Sequence, residues 1–352
     1  MEISELSDSE LLELYHQELD LADSYDNMQF AYKVMINALY GALANPGFLL
    51  NKMIIACAIT SNSRFYVNLF GNLIDSKCKE IDKDPNYGYR RYADTDSGYF
   101  EFPKKLPIEY NVDSLDKIVE GVFQPIVNKS SEIVEHIFNA FSKGKLVTKR
   151  EAIFENAIFV AKKRYAIAVL DDEGTRYDPP KIKVHGLDII RSSTPSFCRK
   201  YLNEAVKILM KADSNAIKNW LAEVRKIYLS QPLSSIAKVS SVTKDNYDLK
   251  TSKAIPINSR AFLVTNQYID ANPERFQKLE LGSKYKMLYL REPNPLKSNI
   301  FMFDSDTFAN QFRDFIDFDL NFEKFFLVPL ELMTEPLRYN LRANTDNLED
   351  LW

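Results

Sequence analysis

A chain of 352 residues, 45% hydrophobic and 12% aromatic, has the length and apolar content for two or three domains with sizeable cores. A formal net charge of -4 excludes a uniformly basic nucleic-acid binder, so any surface for a polyanion must be local. The three cysteines, Cys57, Cys78 and Cys198, stand at no metal-binding spacing and are odd in number. They exclude a disulfide framework and fit a reducing cytoplasm.

Ser7 and Glu10 form a capping-box pattern that opens an acidic helix to about Leu21. A second helical pattern runs from Ser24 to Ala44, and the two are expected to fold as a hairpin. "NPG" at Asn45 to Gly47 should stop the second helix, with Asn45 in a left-handed conformation. A third helix is predicted from Leu49 to about Ile81. The longest apolar run, Phe48 to Thr60, is broken by Asn51 and Lys52 and is too short to span a bilayer, and the acidic N-terminus is unlike a signal peptide. A soluble cytoplasmic protein with no membrane partner is expected. Next, "YGYRRYA" and "SGYFEF" flank Asp94-Thr95-Asp96 as a candidate β-hairpin. Apolar residues from Leu115 to Phe141 recur at helical spacing, and Pro125 should kink or divide that element. Strands are predicted at "AIFENAIFVAKKRYAIAVL" (Ala152 to Leu170) and "KIKVHGL", with the turn "DDEG" between them. Ser193-Thr194-Pro195 reads as a cap followed by proline at the first helical position, opening a mostly helical stretch to about Leu229. A domain boundary is placed near Arg191. The remainder is predicted as strands at "AFLVTNQYI", "KMLYLRE" and "SNIFMF", a long helix around Thr307 to Phe326, and a polar tail. The fold class is α+β.

Asp94 and Asp96, at i and i+2 of an extended chain, would point the same way and could offer a hard cation two carboxylates. Acidic hairpin tips are also common solvated turns, so the companions matter. Lys33, Asn37 and Tyr40-Gly41 in "KVMINALYG" recur on one helical face. Lysine can meet a polyphosphate as a point charge, asparagine can donate to it, and tyrosine beside glycine offers a base pair a flat ring. In "AKKRYA", Lys162, Lys163, Arg164 and Tyr165 sit within an otherwise apolar run. Three cations in a strand interior are costly unless an anion lies over one face; a charged edge strand that guards against aggregation is the other reading. Lys145, Lys149 and Arg150 extend the basic stretch.

"KVMINALYG", then "YADTDS", then "KKRY" followed by "GLD" and "SSTP" resemble, in that order, the family B (α-like) DNA polymerases, those of the phage T4 type above all. "YLREPNP" and "FFLVPLELM" look like the thumb region of that group. The resemblance implies a fragment of a right-hand polymerase: residues 1–45 as fingers, two helices; 46–190 as a palm with an antiparallel sheet and flanking helices; 191–342 as a mainly helical thumb; and 343–352 as a tail. It implies that Asp96 is the principal ligand of catalytic Mg2+ and Asp94 its weaker neighbour. Lys33 and Asn37 would hold the incoming dNTP, Tyr40 would pack by the nascent base pair, and Gly41 would let it approach. Lys162, Lys163, Arg164 and Tyr165 would hold the primer end of primer-template DNA, with Ser193 and Thr194 at the start of the thumb. Leu348, Leu351 and Trp352 have the character of the peptide by which phage enzymes of this group dock on a sliding clamp; a tail folded onto the thumb is the alternative.

Two departures qualify the match. Ala38 stands where the family usually has serine. Nothing before Lys33 resembles the "SLYPS"-like segment that carries a second essential palm aspartate, and the exonuclease and first fingers helix are missing as well. Two-metal chemistry needs carboxylates from more than one strand. The expectation is therefore the C-terminal subunit of a split DNA polymerase, inactive without an N-terminal subunit that carries the exonuclease and the missing aspartate. A non-catalytic DNA- or clamp-binding remnant is the alternative. Reverse transcriptase or nucleotidyl cyclase would leave the "KKRY" segment and the lysine helix unexplained.

Overall fold

The computed structural model describes residues 7–138, 146–211, 213–249, 251–252, 254–273 and 275–342. The chain forms two compact units: one holds 1–109 and 117–149, the other 110–116 and 150–352. All strand pairs are antiparallel, and helices supply the remaining layers, as the α+β expectation required.

The first unit opens with one helix, α1 (Asp8–Ala44), and not with the expected hairpin of two helices. No glycine or proline stands between Leu21 and Ser24, and "ADS" alone cannot offset the hydrogen bonds of a continuous ladder. The Glu10 carboxylate accepts from the Ser7 N–H at 2.9 Å and from its hydroxyl at 2.6 Å, so the predicted cap is in place. The helix ends where expected, but Asn45 is extended (φ -84°, ψ 117°) and not left-handed. The ring of the following Pro46 disfavours helical backbone at Asn45, whose Oδ1 instead accepts the Gly47 N–H at 2.9 Å.

After a short connection, α2 (Met53–Asp82) follows, and its second half carries the core of this unit. Tyr66, Phe70, Ile74 and Cys78 pack with Tyr89, Phe123, Val127 and Val134. The hairpin of β1 (Arg90–Asp94) and β2 (Ser97–Phe100) lies on α2 through Phe70 and Phe100. The predicted helix after Leu115 is divided beside Pro125. It consists of α3 (Val112–Ile118), a wider π-type turn at Val119–Phe123, and α4 (Gln124–Ile137), with the proline in the first turn of α4, directly after the π-type turn that interrupts the regular ladder. Phe141, Lys143 and Lys145 lie outside the described residues.

The main segment of the second unit, from residue 150, opens with a three-stranded meander, β3 (Ala152–Ala161), β4 (Arg164–Asp172) and β5 (Thr175–His185). The expected single strand from Ala152 to Leu170 is thus two strands that turn back at Lys162-Lys163. The "DDEG" turn is as expected, with Glu173 and Gly174 at positive φ (50° and 95°). Helices α5 (Ser196–Leu209), α6 (Ser214–Leu229) and α7 (Leu233–Ile236) follow and share its core. Pro195 serves as the N-cap residue of α5 (ψ 144°) and not as its first helical residue. A second sheet has β6 (Lys238–Ser241), β7 (Lys284–Tyr289) and β8 (Ile300–Phe303) in that order.

"AFLVTNQYI", predicted as a strand, is helical: it lies in α8 (Ile257–Asp270). Its β-branched and aromatic content suggests a strand, yet Ala261, Phe262, Thr265 and Ile269 are buried at helical spacing against β8. The long helix expected at 307–326 is instead α9 (Asp306–Ala309), a 3-10 segment, α10 (Phe318–Phe322), a π-type turn and α11 (Val328–Thr334). The break at Ile316-Asp317 is enforced from outside: Ile316 bridges Leu290, and Asp317 caps α10 by accepting the Leu320 N–H at 3.0 Å. The buried Asn321 side chain fixes α10 on β7, taking the Tyr289 N–H and donating to its carbonyl, both at 2.9 Å. One core unites the meander, α5 to α7 and these short helices, and it runs across the Arg191 boundary. Leu348, Leu351 and Trp352 lie outside the described residues.

Candidate nucleotide and nucleic-acid site

In the first unit the aspartates stand at the tip of a tight hairpin. The register pairs Tyr92 with Tyr99, Ala93 with Gly98 and Asp94 with Ser97, which leaves Thr95 and Asp96 as a two-residue turn. The expected i, i+2 relation within one extended strand therefore does not hold. Asp94 ends β1 half-buried and its Oδ1 accepts the Thr95 N–H at 2.9 Å and the Thr95 hydroxyl at 3.2 Å, while Asp96 is exposed on the turn. Both carboxylates stay at one tip, now through turn geometry.

The base of the hairpin is anchored to α2. Asp75 accepts the N–H groups of Tyr89 at 2.6 Å and Arg90 at 3.2 Å and pairs with Lys79 at 2.8 Å. Burial pushes the Asp75 carboxyl up, but Lys79 and the two N–H donors outweigh it and hold the pKa below the ordinary value. Gly98 has a steric reason: a Cβ there would lie 2.8 Å from the Phe100 ring and 3.3 Å from that of Phe70. Behind the hairpin, Asp82 accepts from the Tyr89 hydroxyl at 2.5 Å and from the N–H groups of Lys104 and Lys105 at 2.9 and 2.7 Å. Among the described residues, no group of three or more His, Cys, Asp and Glu is gathered as metal ligands.

Lys33, Asn37, Tyr40 and Gly41 are all exposed on α1, at spacings that hold them on one helical face.

In the second unit Lys162 and Lys163 form the exposed turn between β3 and β4, with Lys163 at φ 61°. The expected cost of cations in a strand interior therefore does not arise; they project from a tip. Arg164 and Tyr165 begin β4, and the Tyr165 ring stacks on His185 at 4.7 Å. The "GLD" segment, to which the sequence reading gave no role, organises this end of the sheet. Gly186 (φ 63°) passes so close to the turn that a Cβ would lie 1.9 Å from the Lys163 carbonyl oxygen. Asp188 faces Arg164 at 3.6 Å and Arg191 at 2.8 Å, and its carbonyl accepts the Thr194 hydroxyl at 2.5 Å. Ser193 accepts the Val239 N–H at 3.1 Å through its carbonyl. The "KKRY" turn and the "SSTP" segment are thus brought together by Gly186 and Asp188, and an isolated glycine flanked by strand residues was the available signal.

A mixed fold of helices and antiparallel sheets thus carries a carboxylate hairpin in one unit and a basic turn in the other. The chain belongs to DNA polymerase family B, whose model matches residues 12–285. It is 28% identical to the DNA-directed DNA polymerase of Escherichia phage RB69 over 350 residues, covering 92% of this chain and 38% of that protein. It is 24% identical to the DNA-directed DNA polymerase of Enterobacteria phage T4, covering 99% of this chain and 41% of that protein. It also matches the DNA polymerase delta catalytic subunit of Glycine max at 22% identity, over 64% of this chain and 20% of that protein. The chain therefore spans about two fifths of the length of the phage polymerases it matches. No helix among the described residues is long and apolar enough to cross a membrane.

Proposed function

We propose that this chain is the C-terminal part of a DNA-directed DNA polymerase and works joined to a polypeptide that supplies the exonuclease and the further palm aspartate. The carrying observation is the order of the lysine helix, the aspartate hairpin and the "KKRY" turn within one family B match. In this reading α1 is the return helix of the fingers, the remainder to about residue 190 is palm, and 191–342 is thumb.

Asp96 and Asp94 fit Mg2+ by donor type, being oxygen ligands at a turn that the ion and a substrate can reach. Bound there with a further carboxylate, two such ions would supply charge neutralisation of the triphosphate and of the attacking primer oxygen. Lys33 places a point charge on the triphosphate and Asn37 donates to it. Tyr40 packs against the nascent base pair, which Gly41 leaves room to approach. Lys162 and Lys163 meet phosphates, while Arg164 and Tyr165, held by Asp188 and His185, position the primer end. Ser193 and Thr194 join this grip to the thumb, and Leu348, Leu351 and Trp352 form a clamp-docking peptide.

Binding of a fluorescent primer-template at increasing salt tests the DNA surface. The logarithm of affinity should fall linearly with that of salt concentration, and Lys162→Ala with Lys163→Ala should reduce the slope by roughly two contacts. A slope that both substitutions leave unchanged would remove the "KKRY" turn from the proposal.

A further inference from the structure

Two carboxylates on α2, Asp75 and Asp82, stand apart from the aspartate hairpin yet hold both the chain that enters it and the chain that leaves it. Asn68, Gly71, Asp75, Cys78 and Asp82 recur at steps of three and four, hence on one face of the helix. The entering chain lies along this face. The Arg90 side chain crosses Gly71, where a Cβ would meet its guanidinium at 2.6 Å, and donates to Asn68 at 3.2 Å. Tyr89 is held at both ends, by its N–H on Asp75 and its hydroxyl on Asp82, and shares a core with Cys78. The leaving chain returns to the end of the same helix. There Asp82 accepts the N–H groups of Lys104 and Lys105, and the Lys105 ammonium donates to the Asp82 carbonyl at 2.8 Å. Burial pushes the Asp82 carboxyl up, but the Tyr89 hydroxyl and the two N–H donors outweigh it, so it accepts these bonds as an anion.

This clamp protects a register. Arg90 pairs with Phe100 and Tyr92 with Tyr99, so Arg91 is an extra residue in β1, a β-bulge shortly before Asp94. Without the bulge the pairs would be Arg91 with Tyr99, Tyr92 with Gly98 and Ala93 with Ser97. The side chains from Tyr92 on would change face, and Asp94 would leave the strand for the turn. The bulge is pinned at its base. Asp75 takes the N–H groups of Tyr89 and Arg90 just before it, the Tyr89 carbonyl accepts the Glu101 N–H at 2.8 Å, and Arg91 itself donates to the Glu101 carboxylate at 2.8 Å. On the other side of the bulge the Tyr92 and Tyr99 rings meet at 5.5 Å, a contact that marks the observed register. We propose that Asp75 and Asp82 are positioning residues of the metal site: by fixing both ends of the hairpin on α2 they keep the bulge at Arg91 and so the side on which Asp94 is presented. The inference rests on the proposed assignment of Asp94 and Asp96 to Mg2+. Metal ligands must be held to within about 0.5 Å, so loosening the clamp should cost metal affinity before it costs the fold.

The test titrates Mn2+, standing in for Mg2+, into the whole chain, and broadening of the Thr95 and Asp96 amide signals in nuclear magnetic resonance spectra gives a binding midpoint. Asp75→Ala should raise that midpoint roughly tenfold and remove the contact of the Tyr92 and Tyr99 rings from the spectra. Tyr89→Phe takes from Asp82 one hydroxyl and keeps the buried ring; it should raise the midpoint by a smaller factor, and it decides the matter if Asp75→Ala does not fold. Val134→Ala, in the same core but on α4, should lower the melting temperature and leave the midpoint unchanged. Wild-type midpoints in the folded clamp variants would overturn the proposal and leave the two carboxylates a purely structural part. A midpoint that Val134→Ala raises equally would overturn it as well, by tying metal affinity to stability alone. Absence of broadening in the wild-type chain would instead remove Asp94 and Asp96 from the metal assignment, and with it the reading on which the inference rests.

Discussion

Gly186 shows how a single residue sets the basic turn. Its positive φ and the Lys163 carbonyl leave no space for a Cβ, so Gly186→Ala must displace the turn or unfold its neighbourhood. We expect a loss of about 1–3 kcal/mol in urea unfolding, and an unchanged midpoint would refute the close approach. Asp171 is the corresponding anchor at the other end of β4. It is fully buried, pairs with Arg150 and with Arg176 (3.0 Å), and accepts the Gly174 N–H at 3.1 Å, while Arg150 also holds Asp116 at 2.8 Å. Burial pushes its carboxyl up, but the Arg150 hydrogen bond, the Gly174 N–H and both guanidinium charges outweigh it, so the folded pKa lies below the ordinary value. The unfolded state then takes up the proton first. The contribution is complete above the unfolded carboxylate pKa of about 4 and is lost as pH falls through the folded value. Asp171→Asn should cost about 3–5 kcal/mol at neutral pH because two arginines lose a buried partner. It should also flatten the decline of stability below about pH 4, and an equally steep decline in the variant would contradict the assignment.

At the scale of elements, what could be read from the sequence was what local chemistry decides. The Ser7 cap, the "NPG" stop, the Asp94 to Ser97 turn and the division at Pro125 each rest on residues within a few positions of one another. Errors arose where distant partners decide. Helix α8 has the composition of a strand but buries a helical face on β8, and the break at Ile316 follows from its bridge to Leu290. The Lys162-Lys163 turn was illegible for another reason: it lacks the glycine or asparagine that usually marks a positive φ, and Gly186, on another strand's end, shapes it instead. The candidate residues were legible as types and order; Asp188, which ties "KKRY" to "SSTP", became visible only through contact. Lys163→Gly separates backbone from charge at that turn. Glycine suits φ 61°, so stability should stay within about 1 kcal/mol, while DNA affinity should fall and its salt slope shrink by about one contact. A loss of stability with DNA binding intact would reverse that division of roles.

Over the whole molecule, the two units differ in how complete they are. The second closes a continuous core around its meander and helices, whereas α1, the connection after it and the first turns of α2 present Leu49, Leu50, Ile54 and many other apolar side chains to solvent. Surface of that extent is characteristic of an interaction site. It agrees with a chain that spans about two fifths of its phage relatives and is proposed to function joined to the remainder. Primer extension decides the matter: a labelled primer-template, dNTPs and Mg2+ are given to this chain, to the polypeptide carrying the exonuclease and the further palm aspartate, and to the two together. Extension should require both polypeptides and vanish with Asp96→Ala while primer-template affinity stays unchanged. Extension that persists at undiminished rate in Asp96→Ala, or no extension by the combined wild-type chains, would contradict the assignment of this hairpin to polymerase catalysis.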